Sequence, residues 1–75
     1  MSLSDFVIHI DESMNEFDMN DAEEAVTDCP GVVSAHFSSR HPHLMIVAYD
    51  PERGRSTRAL NAIRSLGLHG QMIGL

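Results

Sequence analysis

The spacing of hydrophobic and polar residues predicts a strand followed by a helix in the first part of the chain. Residues 6–10 are mostly β-branched or aromatic, and alternate members of this run, starting at Phe6, lie on one face. A polar, acidic stretch follows, and a helix is expected to begin within residues 15–20. Its N-cap candidates are Asp18, Asn20 and Asp21. Its predicted buried stripe consists of Ala22, Ala25, Val26 and Cys29.

The remaining pattern predicts three more strands and a second helix. Strands are expected at residues 32–38, 43–49 and 71–75, and a helix is expected at residues 56–66. The third strand is apolar on both faces, with Met45, Val47 and Tyr49 on one and Leu44, Ile46 and Ala48 on the other. The order β-α-β-β-α-β predicts an α+β protein, the ferredoxin-like sandwich. In that fold a four-stranded antiparallel sheet, in strand order 4-1-3-2, carries both helices on one face.

Length and composition predict one globular domain spanning residues 1–75. Apolar residues make up 43% of the chain, which is too large a share for a disordered protein. A domain of this size buries only about 60% of the surface that its unfolded chain exposes, so its core is small. No run reaches the roughly 18 consecutive apolar residues of a membrane span. The first residues lack the basic start and apolar run of a secretory signal, so we expect a cytoplasmic protein without a membrane partner.

Charge is divided unevenly along the chain. Residues 1–28 hold nine acidic groups and no basic group, whereas residues 29–75 hold five arginines and two acidic groups, for a net charge of −6. A net acidic chain repels the phosphate backbone, so nucleic acid is excluded as a partner. Two interpretations of the asymmetry remain open: two packed helices with solvated outer faces, or a charge-complementary docking surface.

Several short motifs resemble one known family. They are Pro30-Gly31-Val32, Ala35-x-Phe37, Val47-x-Tyr49-Asp50-Pro51, Leu60-x-Ala62-Ile63 and Gly67-Leu68. With this spacing the chain resembles the heavy-metal-associated domain of copper chaperones and metal-transporting ATPases. The resemblance extends over roughly residues 6–73, and it implies the same ferredoxin-like fold.

The resemblance also indicates where that family's metal motif has been replaced. Counting back from Gly31 by the family's spacing puts its C-x-x-C at Asn15-Glu16-Phe17-Asp18. Neither end is a thiol, and oxygen ligands do not suit the soft Cu(I) ion, so Cu(I) binding is not expected. The lone cysteine, Cys29, is interpreted as a core residue, because free cysteine is often buried.

Histidine and carboxylate residues could still form a different metal site. In this fold the first βα loop, the β2–β3 hairpin and the α2–β4 loop emerge at the same end. The candidate ligands expected there, for Zn²⁺, Ni²⁺ or Cu²⁺, are Asp11, Glu12, Asp18, His41, His43 and His69. Scattered surface histidines and a solvated acidic turn are the alternative interpretation.

The sheet face that the helices leave uncovered is a candidate interaction surface. The residues expected on it are Val7, His9, His36, Leu44 and Ile46. An apolar patch of this kind often serves self-association or partner docking, although ordinary exposed aliphatic residues are the alternative.

Two functions follow from these observations. No enzyme signature is present, because the chain has no phosphate-binding glycine loop and no evident nucleophile–base pair. The first hypothesis is a non-enzymatic protein-interaction or homo-oligomerisation module without the thiolate metal site and without a firmly predicted cofactor. The second is a metal-binding or metal-transport protein that uses the histidine and carboxylate ligands.

Overall fold

The order of secondary structure elements agrees with the prediction from the sequence. The computed structural model describes residues 2–73. Its elements are β1 (Ser4–Ile10), α1 (Glu16–Thr27), β2 (Val32–Phe37), β3 (Leu44–Tyr49), α2 (Ser56–Ser65) and β4 (Gly70–Met72). The final strand was expected at residues 71–75, of which residues 74 and 75 lie outside the described part.

The four strands form one antiparallel sheet in the order β2-β3-β1-β4. This is the predicted order, and the ferredoxin-like α+β fold is confirmed. Strand β1 is central, pairing Phe6 with Val47 of β3 and Ile8 with Met72 of β4. The pairing of β2 with β3 contains a register shift between Val32 and Ser34.

The core lies between the sheet and the two helices. Its fully buried members come from both layers: Ile8, Ile10, Met45 and Val47 from the strands, and Ala22, Val26, Ala59 and Ile63 from the helices. The ring of Tyr49 packs edge-on against Phe6, with centroids 5.2 Å apart. In β1 and β3, alternate residues are therefore buried, as the period of two predicts, and the intervening residues face away from the helices.

Helix α1 begins at a different cap from those predicted. Asn15 is the N-cap, and its side-chain oxygen accepts a hydrogen bond from the backbone N–H of Asp18 at 2.8 Å. The three predicted cap residues, Asp18, Asn20 and Asp21, lie inside the helix, so that prediction was wrong. Asp18 lies in the first turn, where the helix dipole also favours an acidic group, so it resembles a cap in the sequence.

A tight corner joins the end of β3 to helix α2. The buried carboxylate of Asp50 accepts a hydrogen bond from the N–H of Glu52 at 3.0 Å. Gly54 lies directly against the backbone of Pro30, on the segment between α1 and β2. Helix α2 then runs from Ser56 with no side-chain cap. Within residues 2–73, no helix has the length and apolar character needed to cross a membrane.

Candidate functional site

Three connecting segments meet at one end of the molecule, as the topology predicts. We call residues 11–15, 38–43 and 66–69 together the loop end. Backbone hydrogen bonds join them through β1: Ile10 N–H donates to the carbonyl of His43 at 2.8 Å, and Asp11 N–H donates to that of His69 at 3.0 Å. The loop end is therefore a connected surface, and its side chains decide what it can bind.

The closest side-chain contact within the predicted ligand set joins Glu12 to His69. One Glu12 oxygen accepts from the backbone N–H of His69 at 2.9 Å, and the other lies 2.6 Å from Nδ1 of the ring. The hydrogen bond from the ring lowers the pKa of Glu12, with help from the backbone N–H. The same hydrogen bond and the carboxylate charge raise the pKa of His69. The pair fastens the first loop to the last one.

The other predicted ligands form no side-chain hydrogen bond or ion pair with one another in the described residues. Asp18 lies in the first turn of α1, beside a shallow cavity of about 300 Å³ that Met14 and Leu68 also line. His41 is exposed in the hairpin turn. Across residues 2–73, no group of three or more His, Cys, Asp or Glu side chains is arranged to hold a metal ion. The six-residue ligand set stays a prediction.

A contact that the sequence did not predict pairs His9 with His43. The two rings lie nearly parallel, with centroids 5.9 Å apart and planes inclined by 18°. Nδ1 of His43 lies 2.8 Å from the carbonyl oxygen of Ile10. Nδ1 of His9 lies 3.2 Å from a carboxylate oxygen of Asp11. That nitrogen is buried and forms no aligned hydrogen bond with Asp11 or with any other group in the described residues.

Residues 15–18, to which the resemblance assigns the family's C-x-x-C, hold no soft ligand. Asn15 uses its side-chain oxygen as the helix cap, and Phe17 is 80% exposed. Cys29 lies elsewhere, with Sγ 3.5 Å from the carbonyl of Ala25 and 3.7 Å from that of Arg58. Burial and then the Asp28 charge raise its pKa, against the opposing effect of Arg58. The donor set at residues 15–18 does not fit a thiolate site.

Cys29 is less enclosed than the sequence analysis expected. It is half-buried at the end of α1, whereas Ala22 and Val26 of the same stripe are fully buried. The prediction of an inward position is confirmed only in part, because the chain is already turning towards Pro30 at this point.

The predicted interaction residues lie on the sheet face away from the helices. Val7 pairs with Ile46, which pairs in turn with His36. On the other side of β1, the N–H of Ile73, the residue after β4, donates to the carbonyl of Val7 at 3.0 Å. Ile73 therefore continues the row of Val7, Ile46 and His36 across the sheet. Ile73 is 43% exposed, and it was not among the predicted residues because the sequence assigned no face to the last strand. We call the surface of Val7, His9, His36, Leu44, Ile46 and Ile73 the open face.

Comparisons with solved structures find the same fold. No protein-family model matches the chain, and no curated protein is significantly similar to it. A copper binding domain from HMA7, a P-type ATPase, superposes with a TM-score of 0.83 at 16% identity, covering 93% of each chain. Oxidized MerP from Ralstonia metallidurans CH34 gives 0.82 at 10% identity, over 95% of this chain and 97% of that one.

A third similar structure is the copper chaperone of Enterococcus hirae in its apo form. Its TM-score is 0.80 at 20% identity, over 91% of this chain and 98% of the chaperone. At these identities the likeness concerns the fold. The resemblance that the sequence motifs indicate is therefore confirmed at that level: the chain has the ferredoxin-like fold of heavy-metal-associated domains.

Proposed function

We propose that this domain is a non-enzymatic interaction module that associates with a second copy of itself through the open face. The observation that carries the proposal is an apolar row formed by Ile73, just after β4, Val7 on β1 and Ile46 on β3. His36 ends the row on the fourth strand. The helices leave this apolar surface exposed to water, and covering it with another apolar surface is energetically favourable.

The distribution of charge allows a second copy to occupy the open face. The chain is strongly acidic, so two copies repel each other where their α1 helices approach. Helix α1 packs on the opposite side of the sheet from the open face, with its buried residues Ala22 and Val26 in the core. Contact through the open faces therefore keeps the acidic helices of the two copies far apart.

The size of the open face predicts a weak, reversible association. With strands about 4.8 Å apart and a rise of about 3.3 Å per residue, the face measures roughly 20 Å by 20 Å. About 400 Å² is half of the roughly 800 Å² that each partner buries in a standard interface. We therefore expect a monomer–dimer equilibrium at micromolar to millimolar concentration, in the cytoplasmic location that the sequence predicts.

Sedimentation velocity across a concentration series tests the proposal. Ile46→Asp and Ile73→Asp each place a charge in the apolar row, so each should shift the equilibrium towards monomer by at least tenfold. Phe17→Asp is the matched control, because Phe17 is exposed on α1 and away from the open face. Circular dichroism checks that every variant remains folded.

Two results would contradict self-association through the open face. One is a monomer mass for the wild type at the highest concentration. The other is weaker association of Phe17→Asp with no effect of Ile46→Asp, which would move the interface to helix α1.

Metal binding or transport at the loop end is the second candidate function. The contact between Glu12 and His69 favours it, since it shows that ligand-type side chains from two loops converge there. Calorimetric titration with Zn²⁺, Ni²⁺, Cu²⁺ and Cu(I) tests this candidate. Binding that is lost in His69→Ala supports it, and unchanged binding in that variant contradicts it.

A further inference from the structure

We infer that His9 and His43 form a binding site for a divalent transition-metal ion of the zinc, nickel or copper(II) class. The site is built on His9, which the six-residue ligand set omits, and it lies away from residues 15–18. Because His9 also lies on the open face, metal binding and self-association are measured separately. Three features support the site: the ring nitrogens that are already engaged, the distance between the rings and a buried nitrogen without a hydrogen bond.

The ring of His43 is held in the tautomer that a metal requires. Its Nδ1 lies 2.8 Å from the carbonyl oxygen of Ile10. Because a carbonyl can only accept, Nδ1 must carry the proton, and Nε2 of the neutral ring keeps its lone pair. Metal-binding histidines nearly always donate their second nitrogen in this way, which fixes the ring and raises its basicity.

His9 has the corresponding partner in Asp11, just after the end of its strand. Its Nδ1 is buried and faces a carboxylate oxygen of Asp11 at 3.2 Å, whereas 37% of the side chain remains exposed. A carboxylate behind Nδ1 is the other common partner of a metal-binding histidine. Both rings therefore have an oxygen acceptor behind Nδ1, which leaves Nε2 of each as the nitrogen for a ligand.

The separation of the rings suits one shared ion. A metal–nitrogen bond of about 2.0–2.1 Å places the ion roughly 3.2 Å from a ring centroid, so two ligating rings have centroids up to about 6 Å apart. The rings of His9 and His43 are 5.9 Å apart. They are inclined by only 18°, so one ring must turn before both lone pairs meet one ion.

His9 is the ring that can turn. His43 is fastened by its hydrogen bond to Ile10, but Nδ1 of His9 is buried without an aligned partner. A buried polar atom without a hydrogen bond calls for an explanation. Metal binding would therefore require the His9 ring to turn, and a rotation that aligns Nδ1 with Asp11 would remove the unsatisfied atom.

Two imidazoles leave further coordination positions open. No third His, Cys, Asp or Glu side chain in the described part of the chain completes the set. Water or groups from another molecule would fill these positions. The ligand chemistry favours zinc, nickel and copper(II) over magnesium or calcium, which prefer oxygen.

Calorimetric titration of the untagged full-length chain with Zn²⁺ and Ni²⁺ tests the site. His9→Ala and His43→Ala should each lower the affinity at least tenfold, and Asp11→Asn should lower it about tenfold through loss of the outer partner. His36→Ala and His69→Ala are the matched controls, and they should bind as the wild type does. In ¹⁵N spectra of the histidine rings, Nε2 of His9 and His43 should shift on addition of Zn²⁺.

Several results would overturn the inference. They are no heat at metal concentrations of about 100 µM, unchanged binding in His9→Ala, or an equal loss in His36→Ala. His9→Gln keeps a polar side chain and separates ligand loss from unfolding. Sedimentation in EDTA measures self-association separately. Metal binding by a chain that stays monomeric in EDTA would count only against the proposed function, and a dimer in EDTA without metal binding only against this inference.

Discussion

Among single residues, Asn15 has the clearest separable role, because its side chain caps helix α1. Replacement by alanine removes the hydrogen bond to the N–H of Asp18. We expect Asn15→Ala to lower the free energy of unfolding by about 1 kcal/mol, as at other N-caps, and Asn15→Asp to retain most of it. Urea denaturation measures both.

The control for this prediction is Asn20→Ala, in the exposed interior of the same helix. Alanine is the better helix former there, so this variant should be as stable as the wild type or slightly more stable. Equal losses in Asn15→Ala and Asn20→Ala would show that the cap contributes nothing specific.

The sequence did not predict the roles of Asn15 and His43, and in both cases the reason is that local backbone conformation decides the role. Asn15 competes with Asp18, Asn20 and Asp21, which fit the same start of a helix, and only the backbone conformation decides between them. His43 precedes β3, where the alternation that assigns faces no longer holds. Its stacking on His9 depends on the hairpin conformation, which residue spacing does not encode.

Between elements, the contact of Glu12 with His69 predicts a dependence of stability on pH. The pKa of His69 is raised in the folded state, so protonated His69 stabilises the fold. This stabilisation is complete below the ordinary pKa of 6.5 and is lost as the pH rises through the folded-state pKa. The pKa of Glu12 is lowered in the folded state, so ionised Glu12 also stabilises the fold. This stabilisation is complete above the ordinary pKa of 4.5 and is lost as the pH falls through the folded-state pKa. The contact is therefore strongest between about pH 4.5 and 6.5.

Urea midpoints of the wild type and His69→Ala, measured in EDTA across this range, check the prediction. Their difference should be largest near pH 5.5 and smaller near pH 8 and pH 3, as both partners are charged only in the middle range. The effect should be small, because the His69 side chain is 79% exposed and solvent screens the pair. A difference that does not change with pH would contradict the assignment.

The corner between β3 and α2 predicts a larger effect. A Cβ at Gly54 would overlap the carbonyl oxygen of Pro30. The carbonyl of Pro30 belongs to the backbone and cannot rotate away as a side chain can, so the two chain segments must separate to remove the overlap. Gly54→Ala should therefore destabilise the fold by about 2 kcal/mol or more. Gly67→Ala is the comparison: its φ is +82° but no atom lies within 4 Å of an added Cβ, so only about 1 kcal/mol is expected. Thermal unfolding ranks the two, and the reverse order would contradict the close contact.

For the whole molecule, the architecture could be predicted because its signals are redundant. Inward positions of the long strands, such as Ile8 and Val47, are apolar and fully buried. Right-handed crossovers then leave one arrangement of strands and helices. The loop end has no such redundancy. Topology brings its three segments together, but polar side chains there can take many orientations with similar energy.

The two helices carry opposite charges that remain unpaired with each other. Helix α1 is acidic in its first turn and has no basic residue in its last, whereas α2 has Arg64 in its last turn and no acidic residue in its first. Within residues 2–73, the ion pairs are His9–Asp11, Arg53–Asp50 and His69–Glu12, and none links the helices. Of the two interpretations left open by the sequence, solvated outer faces describe the isolated chain.

The register shift in β2 has a consequence for assembly at high concentration. Strand β2 forms one border of the sheet, and the shift between Val32 and Ser34 interrupts its regular ladder. A newly arriving strand cannot match such a bent border along its full length. Growth of fibres from this border of the sheet is therefore disfavoured.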